Sequence, residues 1–401
     1  MSLPSTNGSP ALTVSLLTGG QDKPYALGIS AALASKGIAM DYIGSDDVDA
    51  PELHVNPLIR FLNLRGNQRT DASKAQKVIR VLKYYARLLR YAVIAKPRVF
   101  HILWTEKFEV FDRVLLMLFY RLLGRRIVHT AHNVNARKRD NCDTFMNRLT
   151  LRIQYALTHK IFVHTKRMHE ELITDFKVPP EKAIIIPFGI NNTLPNTTLT
   201  PEQARQALGL VPAHKVLLFF GRVTPYKGLE HLIGALAELA KKDDSYRVLV
   251  AGPIKNCSDY WLHVQEMINK TGVRAKVIEH TGFIPDEKVE VYFKAADVVI
   301  LPYTDIFQSG VLSLGYSFGL PVVVTDVGSL KEDVIEGRTG FSCRPKDPVD
   351  LANAIGKYFA SDLFKNLKTA RQDIRDYANE RYSWSKVADI TRQTYLELTP
   401  S

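Results

Sequence analysis

Two series of short apolar runs, separated by helical patterns, constrain the fold of this chain more than any other feature. The runs are rich in β-branched residues, which is typical of strands in a parallel sheet covered by helices on both faces. The first series comprises Leu12–Leu17, Met40–Ile43, Val99–Leu103, Arg126–Thr130, Lys160–His164 and Ala183–Pro187. The second comprises Val216–Phe220, Tyr246–Ala251, Val277–Thr281, Val298–Leu301 and Val322–Thr325. The sequence therefore predicts an α/β fold with two facing, doubly wound, Rossmann-like domains.

A polar, proline-punctuated stretch around Asn191–Pro201 separates the two series. We predict an N-terminal domain over residues 1–190 and a C-terminal domain over residues 191–375. A helical tail over residues 376–401 is expected to cross back to the N-terminal domain. The length of 401 residues is sufficient for two domains that each bury a full core.

Cysteine usage and hydropathy narrow the class of protein. Cys142, Cys257 and Cys343 are scattered and form neither a metal-ligand spacing nor a disulfide framework, which favours a reducing compartment. No apolar run has the length of a membrane span, and the first residues lack the pattern of a secretion signal. We expect a cytoplasmic protein that uses no metal.

The net charge of +12 is concentrated in one predicted helix, Ser73–Ile94. No Asp or Glu occurs between Ala72 and Thr105, whereas basic residues recur at Lys74, Lys77, Arg80, Lys83, Arg87, Arg90, Lys96 and Arg98. The predicted opposite face is apolar and comprises Val78, Val81, Leu82, Tyr85, Leu89 and Val93. Such a helix is typical of a surface that binds an anionic membrane, but it also occurs as an ordinary domain helix with a solvated basic face. The same charge could instead attract a pyrophosphate-linked acceptor. Nucleic-acid binding is not expected, because no recognised motif accompanies the charge.

Two cations lie on the turn after the first strand of the second series. Arg222 and Lys227 follow Phe220, and Gly221 and Gly228 bound the turn and permit close backbone approach. Cations at a strand end can straddle the two phosphates of a diphosphate leaving group and stabilise its developing charge. We therefore predict an anion site here, although solvated loop cations would show the same spacing.

A second candidate segment precedes the last predicted strand. Ser309, Gly310 and Val311 are predicted to begin a helix, whose free N–H groups and dipole suit a phosphate. The preceding loop offers Tyr303, Asp305 and Gln308 as possible contacts for a sugar or a ribose. Each of these is also an ordinary loop residue type, and Ser309 is also an ordinary N-cap.

Candidates in the N-terminal half follow two of its strands. His129 falls within a predicted strand and is assigned to the core, whereas His132 lies in the turn beyond it. A histidine there can bond a sugar hydroxyl or carry a proton. Gly19 and Gly20 follow the first strand and permit backbone access to an acceptor or a diphosphate, or serve only the turn.

Together these segments resemble the retaining glycosyltransferases of family 4, which have the GT-B fold. The resemblance covers most of the chain and is tightest in the second half. It is carried by GRVTPYKG at Gly221–Gly228, HTGFIP at His280–Pro285, AADVVILP at Ala295–Pro302 and GLPVVVTDVG ending at Gly328. It implies transfer of a sugar from a nucleotide-diphosphate sugar to a hydroxyl acceptor, lipid-linked or a polysaccharide precursor, without a metal or cofactor and with retained anomeric configuration.

The resemblance also implies roles for individual residues. Arg222 and Lys227 would grip the donor diphosphate, assisted by the backbone at Gly221 and at Ser309–Val311. His132 would contact the donor sugar near the reacting carbon, and Gly19–Gly20 would line the diphosphate or the acceptor. An acceptor-binding role for the N-terminal domain and a nucleotide-sugar-binding role for the C-terminal domain follow from the same resemblance.

One departure from the family pattern bears on function. The family usually carries two glutamates with seven residues between them, and Ile306 and Leu314 occupy those positions here. Asp305 or Gln308 is a candidate substitute for the missing carboxylates. The alternatives are a non-catalytic sugar-nucleotide-binding or scaffold relative, a nucleotide-sugar epimerase or a phosphorylase-like protein of the same fold.

Overall fold

The structure is a computed structural model that describes residues 12–20, 22–69, 71–104, 108–139, 142–189, 194–254 and 257–399. The chain divides into two compact units, Met1–Gly189 with Tyr382–Ser401, and Ile190–Arg381. Residues 191–193 of the predicted linker lie outside the described residues. Residues 376–381 complete the last helix of the second unit, and the part of the predicted tail from Tyr382 onwards belongs to the first.

A seven-stranded parallel sheet forms the centre of the first unit. Its spatial order is β3-β2-β1-β4-β5-β6-β7. The strands are β1 (Thr13–Leu17), β2 (Ala39–Gly44), β3 (Ile59–Asn63), β4 (Val99–Ile102), β5 (Arg126–Thr130), β6 (Lys160–Val163) and β7 (Ala183–Ile185). The sequence reasoning did not find β3, because Arg60 and Asn63 interrupt its apolar residues and only Ile59 of this edge strand is fully buried. The predicted doubly wound architecture is confirmed for this unit.

Helices cover both faces of this sheet. They are α1 (Lys23–Ser35), α2 (Pro51–Val55), α3 (Lys74–Ile94), α4 (Leu116–Leu122), α5 (Ala136–Arg139), α6 (Phe145–Leu157) and α7 (Lys166–Phe176). A turn of π-helix, Phe111–Leu115, leads directly into α4. Two apolar clusters result: one contains Val14, Leu16 and α1 residues such as Leu33, and the other packs Tyr84 and Leu88 of α3 against Phe100.

The second unit repeats this architecture with six parallel strands in the order β10-β9-β8-β11-β12-β13. The strands are β8 (Lys215–Phe220), β9 (Tyr246–Ala251), β10 (Val277–His280), β11 (Val298–Leu301), β12 (Val322–Thr325) and β13 (Gly340–Cys343). The helices are α8 (Pro201–Ala207), α9 (Leu229–Ala240), α10 (Ser258–Lys270), α11 (Asp286–Ala295), α12 (Gly310–Ser317), α13 (Pro348–Ala360), α14 (Asp362–Lys365) and α15 (Leu367–Arg381). Strand order reverses between β8 and β11, where open parallel sheets bind ligands at their carboxyl ends.

The last helix, α16 (Trp384–Leu398), packs against α1 within the first unit. Its residues Val387, Ala388 and Tyr395 are buried, and the Tyr395 hydroxyl lies 2.6 Å from Nδ1 of His101. Trp384 lies directly against Gly28 and Gly189, where any β-carbon would overlap the indole ring. These contacts anchor the C-terminal helix to the first sheet layer.

Replacement of Gly28 by Ala tests this anchor. A β-carbon at Gly28 would lie 2.2 Å from Cζ2 of Trp384, so the indole must move from its packed position. We expect the free energy of unfolding to fall by about 1–3 kcal/mol in a urea titration. Gly356→Ala, within α13, is the matched control because no atom lies within 4 Å of its added methyl group. Equal effects of the two substitutions would contradict the anchor.

The basic segment forms a helix as predicted, but its apolar residues are divided between two environments. Ser73 caps α3 in a capping box with Gln76. The helix buries Tyr84, Leu88 and Tyr91, whereas Val78, Leu82 and Val93 of the predicted apolar face are more than half exposed. The predicted apolar face is therefore partly packed against the domain and partly exposed to solvent. Within the described residues, no helix has the length and apolar character to cross a membrane.

Candidate functional site

The turn after β8 packs closely against the chain segment that follows β11. Gly221 has φ +92°, and Gly228, which has φ +67°, precedes α9. A β-carbon on Gly228 would lie 2.1 Å from the carbonyl oxygen of Pro302, so only glycine permits this approach. The amide of Thr304 donates to the carbonyl of Tyr226 at 2.8 Å. The two predicted segments are thus joined at the reversal of strand order.

Lys227 lies buried within this junction. Its ammonium donates to the carbonyl of Phe220 at 3.3 Å and lies 5.6 Å from the ring centre of Tyr303. Burial, together with the charge of Arg222, lowers the pKa of Lys227 to about 8. Arg222 itself is exposed. No carboxylate of the described residues forms an ion pair with Lys227, and a buried cation without an opposite charge is costly to the fold.

The start of α12 lies beside the same ammonium. A β-carbon on Gly221 would lie 2.8 Å from Nζ of Lys227 and 3.6 Å from Cγ2 of Val311. Ser309 is the N-cap of α12 as predicted, and its hydroxyl accepts from the amide of Leu312 at 3.4 Å. Gly310 is exposed, and no atom lies within 4 Å of where its β-carbon would be. The first-turn amides and the Lys227 ammonium together form a site suited to phosphate.

The loop between β11 and α12 places its candidate residues differently. Tyr303 is only 1% exposed, and its hydroxyl lies 3.4 Å from that of Ser309, so it supports Ser309 and Lys227 from below. Asp305 is exposed and Gln308 is half-buried, which leaves both side chains accessible.

The two positions at which the family carries glutamate are apolar and buried in this fold. Ile306 and Leu314 are each 9% exposed. A β-carbon on Gly328 would lie 1.8 Å from the carbonyl oxygen of Ile306, and Ser329 donates its hydroxyl proton to the carbonyl of Phe307 at 2.7 Å. These two contacts hold the loop in place, and Asp305 and Gln308 are its accessible polar side chains of the predicted set.

Thr224 is a further polar group that sequence reasoning missed. In the sequence Thr224 lies between Arg222 and Lys227. Its hydroxyl is buried and has no hydrogen-bond partner among the described residues. An unpartnered buried hydroxyl is costly unless a ligand completes its bonding. The sequence signal was present, since Thr224 lies between the two predicted cations, but a lone threonine carries no pattern.

His132, in the first unit, lies at the carboxyl end of β5 within an aromatic cluster. Its ring stacks on Trp104 at 4.2 Å and meets the edge of Tyr25 at 4.6 Å. Nδ1 lies 3.2 Å from Nε2 of His164, while Nε2 of His132 is enclosed without a partner among the described residues. Burial and the neighbouring histidines hold the pKa of His132 well below its ordinary value. The imidazole is therefore neutral near pH 7 and is suited to hydrogen bonding rather than to ion pairing.

Gly19 and Gly20 adjoin this cluster. Both have positive φ, +64° and +67°, and a β-carbon on Gly19 would lie 2.8 Å from Cβ of Trp104. The guanidinium of Arg65 donates to the carbonyl of Gly19. His129 is buried, with Nδ1 3.2 Å from the carbonyl of Ile102, in keeping with its assignment to the core. Gly19, Trp104 and His132 thus form one continuous surface in the first unit.

Two family models match this chain. One, described as Glycosyltransferase Family 4, matches residues 24–194, and one, described as Glycosyl transferases group 1, matches residues 214–361. The second match contains the Lys227 junction, and the first contains His132. Together the two matches cover most of the chain.

Curated relatives and solved structures agree with these matches. An uncharacterized glycosyltransferase of Methanocaldococcus jannaschii is 28% identical over 61% of this chain and 62% of its own length. A D-inositol 3-phosphate glycosyltransferase of Corynebacterium diphtheriae is 30% identical over 67% of this chain and 64% of its own length. The chain thus spans less than two thirds of these relatives. The structure of Anabaena HepE in complex with UDP has a TM-score of 0.71 at 18% identity, covering 96% of this chain and all of that one.

Proposed function

This chain belongs to the glycosyltransferases, and on that premise we propose that it transfers a sugar from a nucleoside diphosphate sugar to a hydroxyl acceptor. We further propose that the anomeric configuration is retained and that no metal is required. The observation that carries the donor proposal is Lys227, a buried ammonium at the reversal of strand order, without a carboxylate partner among the described residues.

In this proposal the junction stabilises the leaving diphosphate. Charge grows on the phosphate oxygens as the bond to the sugar breaks, and Lys227 and Arg222 oppose that charge in a site from which water is partly excluded. The first-turn amides of α12 at Gly310 and Val311 complete the grip, since a helix N-terminus favours an anion. The Thr224 hydroxyl supplies a further donor. These fixed cations and amides stabilise the negative charge of the leaving diphosphate, as a bound divalent cation does in other enzymes.

The remaining candidates are assigned to the sugar and the ribose. His132 is neutral, so it offers a hydrogen bond to a sugar hydroxyl near the reacting carbon and does not add charge. Gln308 and Asp305 are the accessible side chains of the loop that carries Ile306 and Leu314. We propose that Gln308 or backbone groups hold the ribose in place of the usual carboxylate. The absence of a side chain at Gly221 leaves space for the diphosphate to approach the backbone of this turn.

We propose that the acceptor is a phosphorylated or lipid-linked hydroxyl compound, such as a polysaccharide precursor, met at the cytoplasmic face of a membrane. The relative from Corynebacterium diphtheriae is named for an inositol phosphate acceptor. The exposed basic residues of α3, beside exposed Val78 and Leu82, suit peripheral attachment to anionic lipid.

Flotation with liposomes of phosphatidylglycerol and phosphatidylcholine tests the membrane contact. Replacing Lys83 and Arg87 together by Ser is expected to lower the bound fraction, because each basic residue near the surface contributes about 1 kcal/mol. Replacing the exposed basic residues Lys241 and Lys242, beyond the end of α9, is the matched control for lost charge. Equal binding by the two double variants would refute attachment through α3.

The pH dependence of donor binding follows from the pKa of Lys227. In the free protein that pKa is about 8, and a bound diphosphate raises it, because opposite charge favours the ammonium. Affinity for UDP is therefore constant below pH 8 and falls by about tenfold per pH unit above it. Calorimetric titrations between pH 6.5 and 9.5 measure this slope, with Lys227→Met as the control that should remove it. A flat profile in the parent protein would contradict a direct role for the ammonium.

Turnover with a panel of UDP-, GDP- and ADP-sugars, supplied with a lipid extract, tests the function itself. The expected result is release of one nucleoside diphosphate, undiminished by EDTA, with a product whose anomeric configuration matches that of the donor by NMR. A donor that binds but is never consumed would instead favour the non-catalytic sugar-nucleotide-binding alternative. Inversion of configuration or an absolute need for a metal would overturn the finer parts of the proposal.

A further inference from the structure

His132 and His164 form a hydrogen-bonded pair of rings at the carboxyl edge of the first sheet. His132 lies just beyond β5, and His164 follows β6 directly. These two strands are parallel neighbours, so the segments that follow them lie side by side. Nδ1 of His132 lies 3.2 Å from Nε2 of His164, and the two ring centres are 5.0 Å apart. The sheet topology therefore brings together two histidines from separate parts of the sequence.

Both rings are neutral near pH 7, so each carries a single ring proton. Burial lowers the pKa of His164 to about 4, although neighbouring backbone carbonyls favour its protonated form. Burial and the nearby imidazole of His164 hold the pKa of His132 well below its ordinary value. A neutral imidazole has one nitrogen that donates a hydrogen bond and one that accepts. The contacts of each nitrogen therefore decide where the proton lies.

The other ring nitrogen of His164 contacts a backbone carbonyl. Nδ1 of His164 lies 3.3 Å from the carbonyl oxygen of Ile186, which directly follows the neighbouring strand β7. A carbonyl oxygen only accepts hydrogen bonds, so Nδ1 of His164 is the nitrogen that donates. Nε2 of His164 is therefore left without a proton and acts as an acceptor.

The acceptor on His164 determines which nitrogen of His132 carries the proton. Because Nε2 of His164 accepts, Nδ1 of His132 must donate across the 3.2 Å contact. The opposite arrangement would place a lone pair on Nδ1 of His164 against the oxygen of Ile186, which is repulsive. Nε2 of His132 is then the nitrogen with the free lone pair, and it is the atom that has no partner among the described residues.

Aromatic neighbours fix the orientation of both rings. His132 stacks on Trp104 with an interplanar angle of 7°, and the ring of Tyr25 meets it at 88°. His164 is buried, and the ring of Phe188 lies 5.1 Å from it at 89°. These contacts restrict rotation of the two imidazoles, so Nδ1 of His132 stays directed towards His164.

We propose that His164 is a positioning residue, which holds His132 in the tautomer whose Nε2 accepts a hydrogen bond from a hydroxyl of the donor sugar. The contact with the sugar rests on the proposed function, whereas the tautomer does not. Without an acceptor at Nδ1, the proton of His132 is free to occupy Nε2, which then no longer accepts. The sugar group that meets His132 must accordingly be a proton donor, and a substituent without a proton does not meet that requirement.

Nitrogen–proton correlation spectra of the whole chain, with isotope-labelled histidine rings, test the tautomer without requiring turnover. The protonated and unprotonated nitrogens of a neutral imidazole differ in chemical shift and in their couplings to the ring C–H protons. Signals are assigned by their loss in His132→Phe and His164→Phe. The expected result is a proton on Nδ1 of both His132 and His164. A proton on Nε2 of His132 in the parent protein would overturn the proposal.

Two substitutions of His164 separate control of the tautomer from packing. Oε1 of a glutamine can take the place of Nε2 and accept from His132, whereas asparagine is shorter and extends only towards Ile186. His164→Gln should therefore keep the Nδ1 tautomer of His132 and most of kcat. His164→Asn should release the tautomer and lower kcat by about 10- to 100-fold, the range found for groups that orient metal-bound histidines.

A histidine outside the cluster is the matched control. His169→Asn, within α7, should leave the His132 spectrum and kcat as in the parent. All these variants should bind UDP as the parent does, because the residues proposed to hold the diphosphate lie in the second unit.

The outcomes distinguish the tautomer from the function. Equal kcat of His164→Asn and His164→Gln, with the tautomer changed only in His164→Asn, would overturn the contact with the sugar. If the parent consumes no donor, the proposed function fails, and the spectrum still decides the tautomer. If His164→Asn does not fold, the parent spectrum and His164→Gln decide it.

Discussion

Lys227→Ala is expected to lower kcat/KM by about 100- to 1000-fold, the size of effect seen when one preorganised donor to a developing anion is removed. The ammonium lies beside Gly221, Tyr303 and the first turn of α12, and no carboxylate among the described residues pairs with it. The fold itself should not weaken. Lowering a lysine pKa to about 8 by burial corresponds to a cost of about 3 kcal/mol, which removal of the charge relieves.

Thermal melting measured beside turnover distinguishes a binding role from a structural one. The lost side-chain methylenes reduce packing, which offsets part of the relieved cost of burying the charge. The melting temperature of Lys227→Ala is therefore expected to be unchanged or slightly higher. Lys215→Ala is the control, because Lys215 begins β8, at the end of that strand away from the Lys227 turn, and pairs with Asp243 at 2.7 Å. That variant should keep its turnover. Loss of the melting transition in Lys227→Ala, rather than loss of turnover, would make Lys227 a structural residue.

His132→Phe is expected to lower kcat by about 100-fold or more while the first unit stays folded. Phenylalanine can retain the stacking on Trp104 but offers no nitrogen to a sugar hydroxyl. Two stability effects oppose each other: an enclosed Nε2 without a partner is removed, and Nε2 of His164 loses its neighbour at 3.2 Å. Each is worth about 1–3 kcal/mol, so the net change in unfolding free energy is expected to be small.

Steady-state kinetics and urea unfolding check this expectation together. His54→Phe is the control, since that histidine is exposed and lies in the short helix α2, away from the aromatic cluster. An unchanged kcat in His132→Phe would assign His132 to the core alone. A fall in kcat together with a fall in donor affinity would indicate a contact that is present in the ground state and becomes stronger in the transition state.

Sequence reasoning predicted those parts of the structure that depend on local pattern. The structure contains the central strands that the buried β-branched runs predicted. It also contains the basic helix α3, which the helical period predicted, and the helix start at Ser309, which the N-cap residue predicted. The edge strands β3 and β13 were missed, because an edge strand is buried on fewer sides and needs fewer apolar residues. Local pattern therefore predicted the central strands and the helices named above, but not the edge strands β3 and β13.

The environment of individual site residues depended on packing that no local pattern encodes. Tyr303 was predicted as a ligand contact but is buried beneath Lys227, because the turn after β8 folds over it. Thr224 was not anticipated, since the burial of its hydroxyl without a partner among the described residues is visible only in the folded turn. Gly228 and Gly328 show why: each permits a backbone contact with the loop after β11 that side-chain chemistry alone does not predict.

Calorimetric titration of the whole chain with UDP, GDP and ADP tests the central claim most directly. If Lys227, Arg222 and the start of α12 form a diphosphate site, at least one nucleoside diphosphate will bind without added metal. The same titration with Lys227→Ala should show affinity lower by about tenfold or more, as for loss of a charge-assisted bond. Absence of binding by all three nucleotides, or equal binding by the Lys227→Ala variant, would contradict the account.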